Sequence, residues 1–143
     1  MTTPDDWNSR VIAEFRANGG QVEAFPKGYL LLLHHTGAKS GQERVSPLAY
    51  LDVDGGYAIF ASKAGAPENP AWYHNLRVNP KATIEIGTDA GAIETIPVTA
   101  RVASPEERDP IWTRQKEASP GFADYEKKTT RQIPVLILEP THG

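Results

Sequence analysis

Two glycines, two hydroxyls and two cations fall within the nine residues Thr36-Gly37-Ala38-Lys39-Ser40-Gly41-Gln42-Glu43-Arg44, separated by two residues from the apolar run Tyr29 to Leu33. A strand that empties into such a loop can cradle an anion. Glycine admits positive φ and lets successive N–H groups approach a ligand. Lys39 and Arg44 bring charge, and the planar fork of Arg suits phosphate or carboxylate. The same residues also write an ordinary hairpin with its cations left in water, and taken alone the hairpin is the simpler reading.

A second stretch changes the balance. Ala61-Ser62-Lys63-Ala64-Gly65-Ala66-Pro67-Glu68-Asn69-Pro70-Ala71-Trp72-Tyr73-His74-Asn75-Leu76 carries another small-residue loop with a cation and leads into a helix with aromatics in its first turn. Helix N-termini favour anions, and aromatic faces favour flat rings. Trp72 and Leu76, four apart, equally fit a core face, and for Trp72 alone that is the better reading. Two basic glycine loops at strand ends, one beside an aromatic helix, together point to a pocket for a large, flat, negatively charged cofactor.

Other chemistries find no residues to carry them. The adjacent His34 and His35 point to opposite faces of a strand and cannot chelate one ion, and His74 and His142 have no evident partner. A metal centre is therefore not expected. No Gly-x-Ser-x-Gly elbow is present, and Asp5-Asp6 and Glu106-Glu107 sit where acids stabilise helix N-termini. The 143 residues contain no cysteine, which removes disulfides, thiolate metal sites and cysteine nucleophiles. The formal net charge of −3 argues against nucleic-acid binding. Charge is uneven: Thr36 to Lys81 holds five cations against four acids, and the rest ten against fourteen, so an anion suits the middle section. No signal-peptide pattern and no apolar run near ~18 residues is present, so a cytoplasmic location is expected.

The elements that must position these loops follow from spacing. Thr3-Pro4-Asp5-Asp6 starts a helix over residues 4–18, with Trp7, Val11, Ile12 and Phe15 at helical spacing and Asn18-Gly19-Gly20 ending it. Strands are expected at Tyr29–His35, Val45–Val53, Tyr57–Ala61, Lys81–Ile86, Ile93–Val102 and Ile133–Leu138. Pro47 marks an edge or bulge in the second. Asn69 is expected to cap a helix that starts at Pro70 and runs to Val78, and Ser104-Pro105-Glu106-Glu107 is a capping box opening a helix of about a dozen residues. Ser119-Pro120-Gly121 breaks that helix before a shorter piece, Phe122 to Lys128. Six strands with inserted rather than alternating helices argue for a mostly antiparallel barrel with helical additions, an α+β chain of one domain over residues 1–143.

The sequence resembles the deazaflavin-dependent nitroreductase family, small reductases that use coenzyme F420, an 8-hydroxy-5-deazaflavin. The matching pieces are Thr36 to Gly41 with Arg44 and Pro47-Leu48, Ala61 to Gly65, Asn69 to Leu76 with Asn79-Pro80, and Tyr125 with Arg131-Gln132-Ile133-Pro134-Val135. The resemblance implies a split β-barrel of the flavin-binding type. It implies that Lys39, Ser40 and Arg44 hold the phosphate and glutamate tail. It implies that Pro47, Leu48, Ser62, Lys63, Ala64 and Gly65 line the coenzyme, with Asn69, Trp72, Tyr73, Asn75 and Leu76 closing the pocket. Ser62 and Tyr125 are the candidate catalytic hydroxyls.

The reaction so implied is hydride transfer to a quinone, nitroaromatic or enone, with FMN as the alternative cofactor and a non-catalytic carrier as the reading from another class. Family members active on bicyclic nitroimidazoles tend to carry three tyrosines at three-residue spacing; here the positions are Ser119, Phe122 and Tyr125, and Ala49 stands where a further tyrosine is common. Nitroimidazole activation is therefore not expected. In this family the first helix covers substrate or touches membrane, and Trp7 and Phe15 suit either. A homodimer is compatible with the resemblance.

Overall fold

A computed structural model describes residues 7–20, 22, 30–53, 55–61, 69–87, 91–118, 121–129 and 132–141. Six strands, β1 (Leu30–Thr36), β2 (Glu43–Val53), β3 (Gly56–Phe60), β4 (Lys81–Gly87), β5 (Ile93–Val102) and β6 (Val135–Pro140), close into a barrel in the order β1-β2-β3-β6-β5-β4. Every pairing is antiparallel. Four helices decorate it: α1 (Trp7–Ala17), α2 (Ala71–Val78), α3 (Pro105–Ala118) and α4 (Gly121–Lys127). The expected barrel and all six strands are present, with ends shifted by up to two residues.

Strand β1 explains the run of four leucines. Its odd members Leu31 and Leu33 face the interior with Tyr50, Ile59, Ile84, Val98, Leu136 and Leu138. Its even members Leu30 and Leu32 pack outward against Val11 and Phe15 of α1. A strand covered on both faces has no polar alternation to keep. Helix α2 supplies Trp72, Tyr73 and Leu76 to the interior cluster, so it plugs the barrel. Helices α3 and α4 cover the outer face of β3 and β6, where Trp112 and Phe122 meet Phe60.

Local chemistry sets the helix ends. Ser104 and Glu107 form the expected capping box: the Ser104 N–H donates to Glu107 Oε1 at 3.1 Å and the Glu107 N–H donates to Ser104 Oγ at 3.4 Å. Helix α1 ends at Gly19 and Gly20, whose φ values of 62° and 94° suit glycine. Gly20 also lies against β4, where an added Cβ would stand 2.6 Å from the Gly87 Cα. Helix α2 departs from expectation. Pro70, extended at φ −66° and ψ 158°, is its N-cap, and no side chain caps it. The ring fixes φ while the extended ψ delays the helix to Ala71, so Asn69 stands one residue too early to cap. The proposed cap at Thr3 to Asp6 lies outside the described residues.

Pro47 sits opposite Leu32 in β2, where β2 pairs with β1 alone; β3 joins β2 only from Tyr50 to Val53. A residue without an N–H is tolerated on such a one-sided stretch.

Candidate functional site

The Gly37–Gln42 segment is a hairpin loop between β1 and β2, and its own bonds shape it. The Gly37 N–H donates to Gln42 O at 2.9 Å, the Gly41 N–H donates to Gly37 O at 3.0 Å, and the Gln42 N–H donates to Ser40 Oγ at 3.2 Å. Gly41 adopts a φ of 70°. Among the described residues, the N–H groups of Lys39 and Ser40 have no protein acceptor, and Lys39 and Arg44 have no ion-pair partner. Lys39, Ser40 and Arg44 are exposed. A Cβ on Gly37 would stand 2.5 Å from Ser40 Oγ and 3.6 Å from Arg44 Nε, so these two groups converge over a glycine-sized hollow. Two open N–H groups, a hydroxyl and two unpaired cations form a donor set that fits phosphate or carboxylate oxygens. The hairpin loop and this donor set are made of the same residues.

A buried relay fastens this loop to the barrel. The Ala38 N–H donates to Asn75 Oδ1 at 2.9 Å. Because an amide N–H can only donate, Asn75 turns its NH₂ the other way, where Nδ2 lies 3.0 Å from His35 Nδ1. His35 Nδ1 is then the acceptor, Nε2 carries the proton, and Nε2 donates to Ser46 Oγ at 3.0 Å. His35 is 3% exposed and Asn75 7%. Burial, followed by the nearby Arg44 and His34 charges, lowers the His35 pKa to about 4, which keeps the ring neutral.

His34 points to the other face, as strand alternation requires. Its Nε2 contacts Glu85 Oε2, and its Nδ1 lies 3.5 Å from Glu43 Oε1. Arg16 of α1 donates to both Glu85 oxygens, at 3.2 and 2.8 Å. The hydrogen bond from Arg16 is the main reason the Glu85 pKa is lowered. The two histidines thus serve separate networks, one to α2 and the loop, one to α1.

Helix α2 is tied to the first glycine loop by a side chain and to the second by chain connectivity. Asn75, in its middle, holds the first loop, and the second loop leaves β3 at Ala61 and reaches α2 at Asn69-Pro70. Ser62, Lys63, Ala64 and Gly65 themselves lie outside the described residues, as do Ser119 and Arg131. Trp72, Tyr73 and Leu76 are buried in the interior cluster, and Leu48 packs against it. By alternation Arg44, Ser46 and Leu48 share the inward face of β2, while Pro47 lies on the opposite face. Tyr125 sits apart, its ring 5.2 Å from that of Phe122 in the cluster under α3 and α4. No described contact joins it to the Lys39 loop. Phe15, offered above for a lid or membrane contact, is fully buried against β1.

The sequence reading missed His35 and Ser46. Neither follows a motif; only their shared inward face after strand pairing brings them together. A groove of about 570 Å³ lies elsewhere, between α3 and the barrel, lined by Asp52, Arg101, Glu107 and Arg114 among others. Its Arg101 is bound by both oxygens of Glu107 at 2.7 and 2.8 Å and faces Glu139 at 3.2 Å, so that guanidinium is already paired.

The profile of the F420H(2)-dependent quinone reductase family matches residues 7–140. The chain belongs to this family. A Mycobacterium tuberculosis protein named F420H(2)-dependent quinone reductase is 39% identical over 76% of this chain and 71% of its own length. A solved structure described as an F420-H2 dependent reductase is 41% identical, covers 78% of this chain and 94% of its own, and superposes with a TM-score of 0.68. Another, described as a domain-swapped dimer, is 37% identical and covers 96% of this chain and 100% of its own at a TM-score of 0.69. Among the described residues no helix is long and apolar enough to cross a membrane.

Proposed function

We propose that this family member transfers hydride from reduced coenzyme F420 to a small electrophilic acceptor, a quinone before a nitroaromatic or an enone. One observation carries the reading. The cradle of Lys39, Ser40 and Arg44 is fastened by the Asn75 carbonyl to the helix that the second glycine loop enters.

In this reading Lys39, Ser40 and Arg44 hold the phosphate and tail carboxylates. Ser62, Lys63, Ala64 and Gly65 run beside the ring. Asn69, Trp72, Tyr73 and Leu76 close the pocket from the barrel side, and Leu48 lines its β2 wall; Pro47, on the opposite face of β2, is left out of the pocket. The reduced coenzyme supplies the hydride, from C5 of its deazaflavin ring. The protein orients, excludes water, and places a hydroxyl, Ser62 or Tyr125, to hold a proton for the acceptor oxygen. Tyr125 packs against the cluster that contains Phe60, the last residue of β3.

Titration of the protein into coenzyme F420 tests the reading by ring fluorescence. A saturable change, followed by quinone-dependent oxidation of the reduced coenzyme, is the expected result. Absence of any change at high micromolar coenzyme, or binding without turnover on quinones, nitroaromatics and enones, contradicts it. A phosphate cradle also suits FMN, and a yellow protein that releases flavin on denaturation would assign that cofactor instead. We extend the reading to a homodimer on the strength of the relative described as a domain-swapped dimer. Light scattering on the eluting protein measures that assembly.

A further inference from the structure

We infer that His35 is a positioning residue for the coenzyme loop: through Asn75 it fixes the Ala38 amide, and with it the outward aim of the Lys39 and Ser40 N–H groups. The inference deepens the reductase reading and rests on it. Asn75 is the one side chain from outside the hairpin that hydrogen-bonds the loop backbone among the described residues. An amide side chain has two orientations, and only one offers Oδ1 to Ala38. His35 Nδ1 selects it, since Nδ2 must then point to the ring at 3.0 Å. With Nδ1 accepting, the ring proton sits on Nε2, and Ser46 Oγ, which can donate or accept, takes it at 3.0 Å. The relay therefore runs Ala38, Asn75, His35, Ser46, with the donor and acceptor roles set from the Ala38 N–H, which can only donate, and the Asn75 orientation held from its other side by the His35 Nδ1 acceptor.

The position of His35 makes this more than packing. It stands opposite Arg44 in the β1–β2 ladder, at the root of the loop. Leucine at 35 would fill the space but leave the Asn75 NH₂ buried without an acceptor, free to turn. Asparagine at 35 would put Oδ1 near where Nδ1 stood and keep the acceptor. Neither residue can be neutral to the loop for the same reason, so the pair separates volume from orientation.

The test compares wild type, His35→Leu and His35→Asn by coenzyme F420 titration, by steady-state kinetics with a quinone, and by thermal unfolding. His35→Leu is expected to raise the coenzyme Kd about tenfold, the size of one lost polar interaction. The loss should fall on KM for the coenzyme rather than on kcat at saturation, and His35→Asn should recover most of it. Unchanged binding in His35→Leu, or equal weakening in both variants, overturns the inference. If His35→Leu fails to fold, amide exchange in the wild type decides. Ala38 should exchange more slowly than Lys39 and Ser40, and equal rates at all three would overturn the inference. Failure of the wild type to bind coenzyme removes the reductase reading, and this inference with it. Wild-type binding with an indifferent His35→Leu removes the inference alone.

Discussion

The Asn75 carbonyl oxygen lies 2.9 Å from the Ala38 amide nitrogen, 37 residues away in sequence, and so fastens the barrel's plugging helix to its basic hairpin loop. This bond makes one neighbourhood of two stretches that each look ordinary alone. A loop with exposed cations would otherwise be free to hold them anywhere. Here the Arg44 guanidinium and the Ser40 hydroxyl stand over a hollow that glycine at position 37 leaves open.

Replacing both Lys39 and Arg44 by Ala should weaken coenzyme binding by at least about a hundredfold, since each charge-assisted contact to an anion is worth roughly 1.5–3 kcal/mol. Folding should be nearly unaffected, because exposed cations without ion-pair partners contribute little to stability. Fluorescence titration beside urea unfolding separates the two. The same binding should weaken as salt rises, through screening of an exposed site.

Stability should fall on acidification through the window from pH 6.5 to 4. His35 has an unfolded pKa near 6.5 and a folded value of about 4. The unfolded chain therefore binds the extra proton between those limits, and stability drops as pH falls. The loss from this group alone is about 2 kcal/mol between pH 7.5 and 5. Urea midpoints at the two pH values measure it, and His35→Asn should flatten the difference.

Trp72→Ala should cost on the order of 3–5 kcal/mol, the usual loss for emptying a core aromatic. Trp72 is 7% exposed and belongs to the interior cluster. Its thermal midpoint should fall far more than that of the Lys39 and Arg44 double variant. A midpoint close to the wild type's would contradict the plug role of α2.

Glu85→Gln should loosen α1 without opening the barrel. It removes the carboxylate that Arg16 binds through two nitrogens and that His34 faces from β1. The side chain is largely buried, so the cost should be about 1–3 kcal/mol. Faster amide exchange confined to α1 is the expected signature, and uniform protection in the variant would argue against this role.

Most of the fold was legible from residue spacing. Six apolar runs, the Ser104–Glu107 box and the glycine stop after α1 are local signals, and local signals survive folding. The basic loop was legible because its chemistry is written in adjacent residues. The His35–Asn75 relay was not, because its members lie 40 residues apart and meet only after β1 pairs with β2 and α2 enters the barrel. The helix start at Ala71 was misplaced by one residue because Pro70 is extended, a property of ψ that residue type does not fix. The adjacent histidines point to opposite faces as strand alternation required, but their partners, Glu85 and Asn75, are distant in sequence and were not legible.

A crystal structure of the protein with coenzyme F420 bound is the most direct measurement. The expected result has phosphate or tail carboxylate oxygens against the Lys39 and Ser40 amides and the Arg44 guanidinium, and the ring along Ser62 to Gly65. Coenzyme seated in the groove of Asp52, Arg101 and Arg114, with the Lys39 loop bare, would contradict the account.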